Sequence, residues 1–351
     1  MTKTNLFAEA FAANRIVVIA EIGVNHNGSM ELARQSIDAA VGTGVDAVKF
    51  QIYRTDELVT AKAEKAEYQK ATTGALEINQ RDMLEALELS QDQHRELSDY
   101  CTKSGIAYVC TPYDTESARF LAEDLQVTAI KVASSDTTNI PFLKAIDGMA
   151  RPVILSTGMC NMDEVRDAVD AMPETRKRGE LYLLQCTSEY PAPAEESNLR
   201  VMRTLADEFC CPVGFSDHTV GNEVSVLAAA HGAQLVEKHF TLDRTLPGPD
   251  HRASSEPADF TDLVQRIRRV EIILGSSEKR ITEAERANKS AMQKSIYWRN
   301  DMAVGTTVTL EDLAFKRPAV GLRPNDVAQV IGRALVRRVE SDQAVSLEDL
   351  S

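Results

Sequence analysis

Short runs of β-branched and other apolar residues alternate along the chain with longer stretches whose apolar positions recur every three or four residues. The first pattern predicts strands and the second predicts amphipathic helices. Eight strand-like runs can be counted, at 16–21, 46–51, 106–110, 129–132, 152–155, 181–186, 212–216 and 234–238, with periodic stretches such as 30–41 and 163–172 between them. Repeated strand–helix units imply a parallel sheet of the α/β class, and eight is the number that closes a (β/α)8, or TIM, barrel.

An open, doubly wound sheet alternates in the same way, so the count alone does not decide the fold. Two features favour the barrel. No G-x-G-x-x-G follows the first run, and nearly every run starts apolar and ends in a charged or hydroxylated residue. Polar strand ends converging on one face are what a barrel's active face requires. Residues 53–81 carry no strand pattern and form a long excursion after the second strand, a kind of loop that is usually functional. Beyond a helix at Pro257–Leu274 comes the polar stretch GSSEKRITEAERAN, and from about Lys294 short alternating runs appear at 295–298, 306–309 and 334–339. The expected organisation is therefore a barrel over 1–275, a linker over 276–293 and a small β-rich domain over 294–351.

Composition narrows the class of function. The 351 residues are 43% hydrophobic and 26% charged, with no long apolar run and no secretory leader pattern, so the expectation is a cytoplasmic globular protein with no membrane role. Six cysteines show neither C-x-x-C pairs nor a disulfide framework. A net charge of −14 argues against nucleic acid as a partner. It would also repel an anionic substrate, so any anion site must be built locally.

The chemistry gathers at the strand ends. F-S-D-H-T after the seventh run and E-K-H-F-T after the eighth put His218 and His239 on neighbouring strands, with Glu21 on the adjoining first strand. Either histidine alone reads as a hydrogen-bonded structural residue. Together, at equivalent strand ends beside a carboxylate, they suit a divalent metal. A second group, Lys49, Gln51, Thr111, Lys131, Ser134, Ser156 and Ser216, supplies compact positive charge and hydroxyl donors suited to a phosphate or carboxylate. A third, C-T-S-E-Y-P-A-P, places Ser188 and Tyr190 in a proline-stiffened loop, and L-P-G-P-D-H holds Asp250.

With these motifs in order along nearly the whole length, the chain resembles the sialic acid synthase family, which includes N-acetylneuraminate, legionaminic acid and pseudaminic acid synthases. The matching segments are A-E-I-G-V-N-H-N-G, K-F-Q, A-E-Y-Q-K, S-T-G-M, C-T-S-E-Y-P-A-P, S-D-H-T, E-K-H-F-T and P-G-P-D-H. The resemblance implies condensation of phosphoenolpyruvate with the open-chain aldehyde of N-acetylmannosamine or a related acylated mannosamine. It implies a divalent ion held by His218 and His239, usually manganese, with magnesium or cobalt as alternatives, that polarises the aldehyde. Water adds to the resulting oxocarbenium carbon, and phosphate then leaves by C–O cleavage. By the same resemblance Glu21 handles protons, and Lys49, Thr111, Lys131, Ser134, Ser156, Ser188 and Ser216 hold phosphoenolpyruvate. Gln51, Asp136, Tyr190 and Asp250 contact the sugar. The tail resembles an antifreeze-like (SAF) domain, whose K-R-P segment implies a domain-swapped homodimer with Arg317 reaching the partner's sugar site.

Two positions leave the acceptor open between N-acetylmannosamine and the 2,4-diacetamido-2,4,6-trideoxymannose of legionaminic acid synthesis. Asp136 stands where many N-acetylmannosamine-specific members have glutamate, and Ser188 where some have asparagine. Two other readings compete: a catalytically silent sugar-binding protein of the same fold, and a pyruvate aldolase using a Schiff-base lysine.

Overall fold

The computed structural model describes residues 6–65, 69–70 and 79–351; residues 66–68 of the A-E-Y-Q-K motif lie outside them. Eight parallel strands close a barrel in sequential order. They are β1 (Val17–Gly23), β2 (Ala47–Ile52), β3 (Ala107–Pro112), β4 (Ala129–Val132), β5 (Val153–Ser156), β6 (Leu181–Cys186), β7 (Val213–Asp217) and β8 (Leu235–His239). The runs read from the sequence fall on these strands, displaced by a residue or two at their ends.

Side chains alternate across a strand, so each one feeds two environments. Outward positions such as Val18, Ala20, Val48, Phe50, Ile130 and Val236 pack with the surrounding helices into the main core. Inward positions at the strand starts, Ile19, Ala47, Val109, Ala129, Ile154, Leu184 and Leu235, form a separate cluster inside the barrel. Phe7, from the helix Leu6–Ala12, joins that cluster with its ring 4.9 Å from that of Tyr182. Two residues further along each strand the same inward row becomes Glu21, Lys49, Thr111, Lys131, Ser156, Cys186 and Glu237. Polar groups at these positions therefore sit on an apolar floor at the strands' C-terminal ends. Register keeps them level: Glu21 is paired with Lys49 on one side and His239 on the other, and Ser216 with Cys186 and Glu237.

Local signals fix the helices between strands. Met30–Thr43 starts at Ser29, whose side chain accepts from the Leu32 amide, and stops at Gly44 in the left-handed region. Met162–Asp170 carries a full capping box at Asn161 and Glu164. The excursion after β2 holds the helices Thr55–Leu58 and Gln80–Leu87. The long helix Pro257–Leu274 is found where periodicity placed it, with proline at its first turn.

The chain divides into two compact units, Met1–Gly275 and Ser276–Ser351. In the second, the stretch expected as linker contains a helix, Glu283–Met292, nucleated by a capping box between Thr282 and Glu285. Strands β9 (Ser295–Trp298) and β10 (Leu313–Lys316) pair antiparallel over a small core with Trp298 at its centre. The runs expected at 306–309 and 334–339 make only isolated bridges, Thr307 with Ala334 and Met302 with Val339. Turns at Gly305 and Gly332, both at positive φ, interrupt their ladders. No helix among the described residues is long and apolar enough to cross a membrane.

Candidate active site

A cavity of about 630 Å³ opens over the strand C-termini of the barrel. Thirteen of the residues singled out from the sequence line it: Glu21, Lys49, Gln51, Thr111, Lys131, Ser134, Ser156, Ser188, Tyr190, Ser216, His218, His239 and Asp250. Asp136 does not; its carboxylate is taken up by Ser135 and Asn139, and it is Ser135 that reaches the cavity wall. Arg317 belongs to the second unit, where it is exposed.

The centre of the site is a buried lattice of charge. Lys49 Nζ lies 2.8 Å from Glu21 Oε2, 3.7 Å from Glu237 Oε1 and donates to Thr111 Oγ1 at 3.1 Å. Lys131 Nζ approaches the same Glu237 oxygen at 3.6 Å, and Ser216 donates to it at 3.2 Å. Burial raises the Glu21 carboxyl above the ordinary range despite Lys49 beside it, and Glu237 adds to the rise. Burial acts on Glu237 in the same direction, but Lys131, Lys49 and His218 outweigh it and leave Glu237 below that range. Burial pushes Lys131 down. It would do the same to Lys49, where Glu21 and Glu237 reverse the effect. The result is one carboxyl shifted up and one shifted down, set between two lysines that burial and the carboxylates move in opposite directions.

Hydroxyls complete this side. Ser156 Oγ is buried with no hydrogen-bond partner among the described residues, a free donor aimed into the cavity. Ser134 Oγ accepts from the Gly158 amide at 3.1 Å. Gly158 lies so close to the hydroxyls of Ser134 and Ser188 that a Cβ there would collide with both. These donors and the lysines form a cradle for a small multivalent anion.

His218 and His239 face each other with ring centroids 5.5 Å apart, and the Tyr190 ring stands 4.2 Å from the first and 5.6 Å from the second. His218 Nδ1 is 2.7 Å from the Thr187 carbonyl. A carbonyl only accepts, so Nδ1 carries a proton, and although burial would lower His218, Cys186 and the Thr187 carbonyl hold it above the ordinary histidine value. Burial, together with His218 and the surrounding lysines, holds His239 neutral, and its Nδ1 is buried without a hydrogen-bond partner among the described residues. Two imidazoles, one oriented by a backbone carbonyl, become a donor set that fits a divalent metal once His218 gives up any Nε2 proton. Among the described residues no group of three or more His, Cys, Asp or Glu forms a metal cluster, so other coordination positions would fall to substrate or water oxygens.

Behind this pair is a second ion pair. Asp217 and Lys238, each one residue before a histidine, point to the outer face of β7 and β8 with Nζ and Oδ2 2.9 Å apart. Asp217 also accepts from the Thr219 amide and hydroxyl and from Ser225, and Lys238 donates to the Thr219 carbonyl at 2.8 Å. Both are buried, and each keeps several hydrogen-bond partners inside the barrel wall. The loop carrying Asp250 is tied to the turn after β1. Asn27 Nδ2 donates to the Pro247 carbonyl, and Asn25 Nδ2 to Phe240 and Ser254, whose hydroxyl donates to the Asp250 carbonyl. Burial and the Glu21 charge bring the Asp250 carboxyl up to about 7.

The family model for NeuB matches residues 36–279, and that for the SAF domain matches residues 293–351. The N,N'-diacetyllegionaminic acid synthase of Legionella pneumophila is 44% identical over 91% of this chain and 90% of that protein. The enzyme of the same name from Campylobacter jejuni is 39% identical over 94% of this chain and 99% of that protein. N-acetylneuraminate-9-phosphate synthase of Homo sapiens is 34% identical over 94% and 91%. Among solved structures, the N-acetylneuraminic acid synthetase of Leptospira borgpetersenii in complex with citrate aligns with TM-score 0.69 and 33% identity, over 78% of this chain and 90% of that one.

Proposed function

The chain belongs to the NeuB family, and from that premise we propose that it condenses phosphoenolpyruvate with an N-acylated mannosamine to give a nonulosonic acid and inorganic phosphate. The observation that carries this reading is the junction, in one cavity, of an anion cradle with a pair of facing imidazoles. A three-carbon phosphate ester and an aldehyde would be held side by side there.

In this reading Lys49 and Lys131 neutralise the carboxylate and phosphate of phosphoenolpyruvate, while Ser134, Ser156, Ser188, Ser216 and Thr111 direct hydrogen bonds to their oxygens. Gln51, Tyr190 and Asp250 orient the sugar. His218 and His239 would hold the divalent ion, which would supply Lewis acidity toward the aldehyde and a lowered water pKa when bound. The phosphoenolpyruvate methylene carbon forms the new C–C bond with the aldehyde carbon, whose oxygen gains a proton and becomes a hydroxyl. Water adds to the cationic carbon that results and loses a proton, and C–O cleavage then releases phosphate and leaves the 2-keto acid. Glu21, raised by burial and held by Gln51 Nε2 at 3.0 Å, would hold or pass a proton in this reading. Arg317 contributes to the sugar site of a partner subunit in a swapped homodimer.

Phosphate release should require both phosphoenolpyruvate and the sugar, stop on chelation and return with manganese. His218→Ala and His239→Ala should abolish both turnover and manganese binding measured by calorimetry. Undiminished turnover in those variants would reject the assignment. A Schiff-base aldolase is the second reading, favoured by the lowered pKa of buried Lys131. Borohydride trapping of a stable pyruvate adduct on Lys131 or Lys49 would replace the condensation by that chemistry.

A further inference from the structure

His218 and His239 are brought face to face by different means. His239 is the last residue of β8, and its backbone is held in the barrel ladder opposite Glu21 of β1. His218 lies one residue past the end of β7, because the β7–β8 ladder stops at the rung that pairs Asp217 with Lys238. The ladder therefore ends just short of the residue whose ring must stand 5.5 Å from that of His239.

A clamp of side chains is built across that last rung instead. The Asp217 carboxylate reaches forward past His218, and its Oδ1 accepts from the Thr219 amide and hydroxyl at 2.8 and 2.7 Å. Its Oδ2 accepts from Lys238 Nζ at 2.9 Å and from Ser225 on the helix Glu223–Ala230. Lys238 Nζ also donates to the Thr219 carbonyl at 2.8 Å. The residues on both sides of His218 are thus tied to one ammonium, which belongs to the residue before His239. From the other side the Ala192 amide donates to the His218 carbonyl at 2.9 Å, and the Thr187 carbonyl holds the ring. Asp217 is 1% exposed and Lys238 2%. Burying two charges offsets much of what their attraction returns, so such a pair serves direction better than stability. Outer partners that orient metal-binding imidazoles commonly set metal affinity as well.

We propose that Asp217 and Lys238 are positioning residues for the metal, acting through Thr219 to fix where the His218 imidazole stands relative to His239. The inference rests on the assignment of both histidines to a divalent ion and adds the device that sets their spacing. Charge acting through space would have the opposite effect. Removing the Lys238 cation and leaving the Asp217 anion would draw a divalent ion in more tightly, so weakened binding is the sign that positioning alone gives.

Manganese and, in the presence of chelator, phosphoenolpyruvate are titrated calorimetrically into the full-length wild type and the Lys238→Met, Thr219→Val and Thr219→Ser variants, at a temperature where each is folded by circular dichroism. Lys238→Met should weaken manganese binding by about 10- to 100-fold. Phosphoenolpyruvate, held by the cradle, should bind that variant within about threefold of the wild type. Thr219→Val keeps the side chain's shape and deletes one bond of the clamp, so it should weaken manganese by about fivefold, and Thr219→Ser should recover the loss. Wild-type manganese affinity in folded Lys238→Met, or in Thr219→Val if Lys238→Met does not fold, would overturn the inference alone, as would an equal loss of both ligands. A wild type that binds no manganese, or whose manganese binding survives His218→Ala, would overturn the histidine assignment and this inference with it.

Discussion

Gly158 is the position where a single methyl group tests the anion cradle. Its φ lies outside the left-handed region, so alanine meets no backbone strain, yet the added Cβ would overlap Ser188 Oγ, lie 2.7 Å from Ser134 Oγ and 3.3 Å from Cys186 Sγ. Both hydroxyls must swing away, and Ser134 gives up the bond it accepts from the Gly158 amide. A hydrogen bond to a charged group contributes about 1.5 kcal/mol or more, so two misdirected donors cost about 3 kcal/mol, or roughly 100-fold in affinity for phosphoenolpyruvate. Steady-state kinetics of the Gly158→Ala variant should show that rise in KM for phosphoenolpyruvate with a much smaller change in KM for the sugar. Adding Ser188→Ala should relieve the overlap and recover part of the loss. A folded Gly158→Ala variant whose KM for phosphoenolpyruvate stays within about threefold of the wild type would refute the cradle, since the loss reasoned here is far larger.

Other consequences can be checked independently. Lys238→Met leaves Asp217 buried without its cation, a loss of about 3–5 kcal/mol, and Asp217→Asn on that background should recover part of it in thermal melts; equal stability of Lys238→Met and wild type would deny the pair its structural role. Burial pushes His26 down to about 4 and His94 down to about 3, below their unfolded value of 6.5, so the unfolded chain binds these protons first. Stability should therefore fall as pH drops below about 6.5, by about 2 kcal/mol per histidine between pH 7 and 5, and His94→Gln should remove one proton from that slope in denaturant titrations. A slope unchanged by His94→Gln would contradict the assignment. Mixing inactive Glu21→Gln and Arg317→Ala chains should restore activity through hybrid dimers; no recovery after proven subunit exchange would reject action in trans.

The barrel was legible because its strands carry two periodic messages at once. Outward positions are apolar apart from a few such as Gln185, Asp217 and Lys238, whereas the inward row changes from Ile19, Ala47 and Leu235 to Glu21, Lys49 and Glu237 within two residues. That same row contains Glu237, which the sequence reading quoted in a motif but left without a role. Its inward parity with His239 was the available signal. Asp136 shows the opposite limit. Family position assigned it to the sugar, but Ser134–Asp136 forms a 3-10 turn, in which each successive residue rotates by about a third of a turn, and Ser135 faces the cavity instead. A small apolar cluster of Val24, Tyr53, Met83 and Leu87 was not readable, because these residues share no period and meet only when the barrel closes. The helix Glu283–Met292 was hidden for another reason: all its residues are exposed, so it has no apolar stripe, and only the Thr282–Glu285 cap announces it.

The central claim is that one cavity joins phosphoenolpyruvate to an acylamino-mannose. It is tested most directly by a product-resolved assay with manganese, phosphoenolpyruvate and either N-acetylmannosamine or 2,4-diacetamido-2,4,6-trideoxymannose. The account predicts a nine-carbon 2-keto acid formed one-for-one with phosphate and neither product without the sugar. Phosphate released without a sugar acceptor, or a sugar consumed without a new carbon–carbon bond, would contradict it.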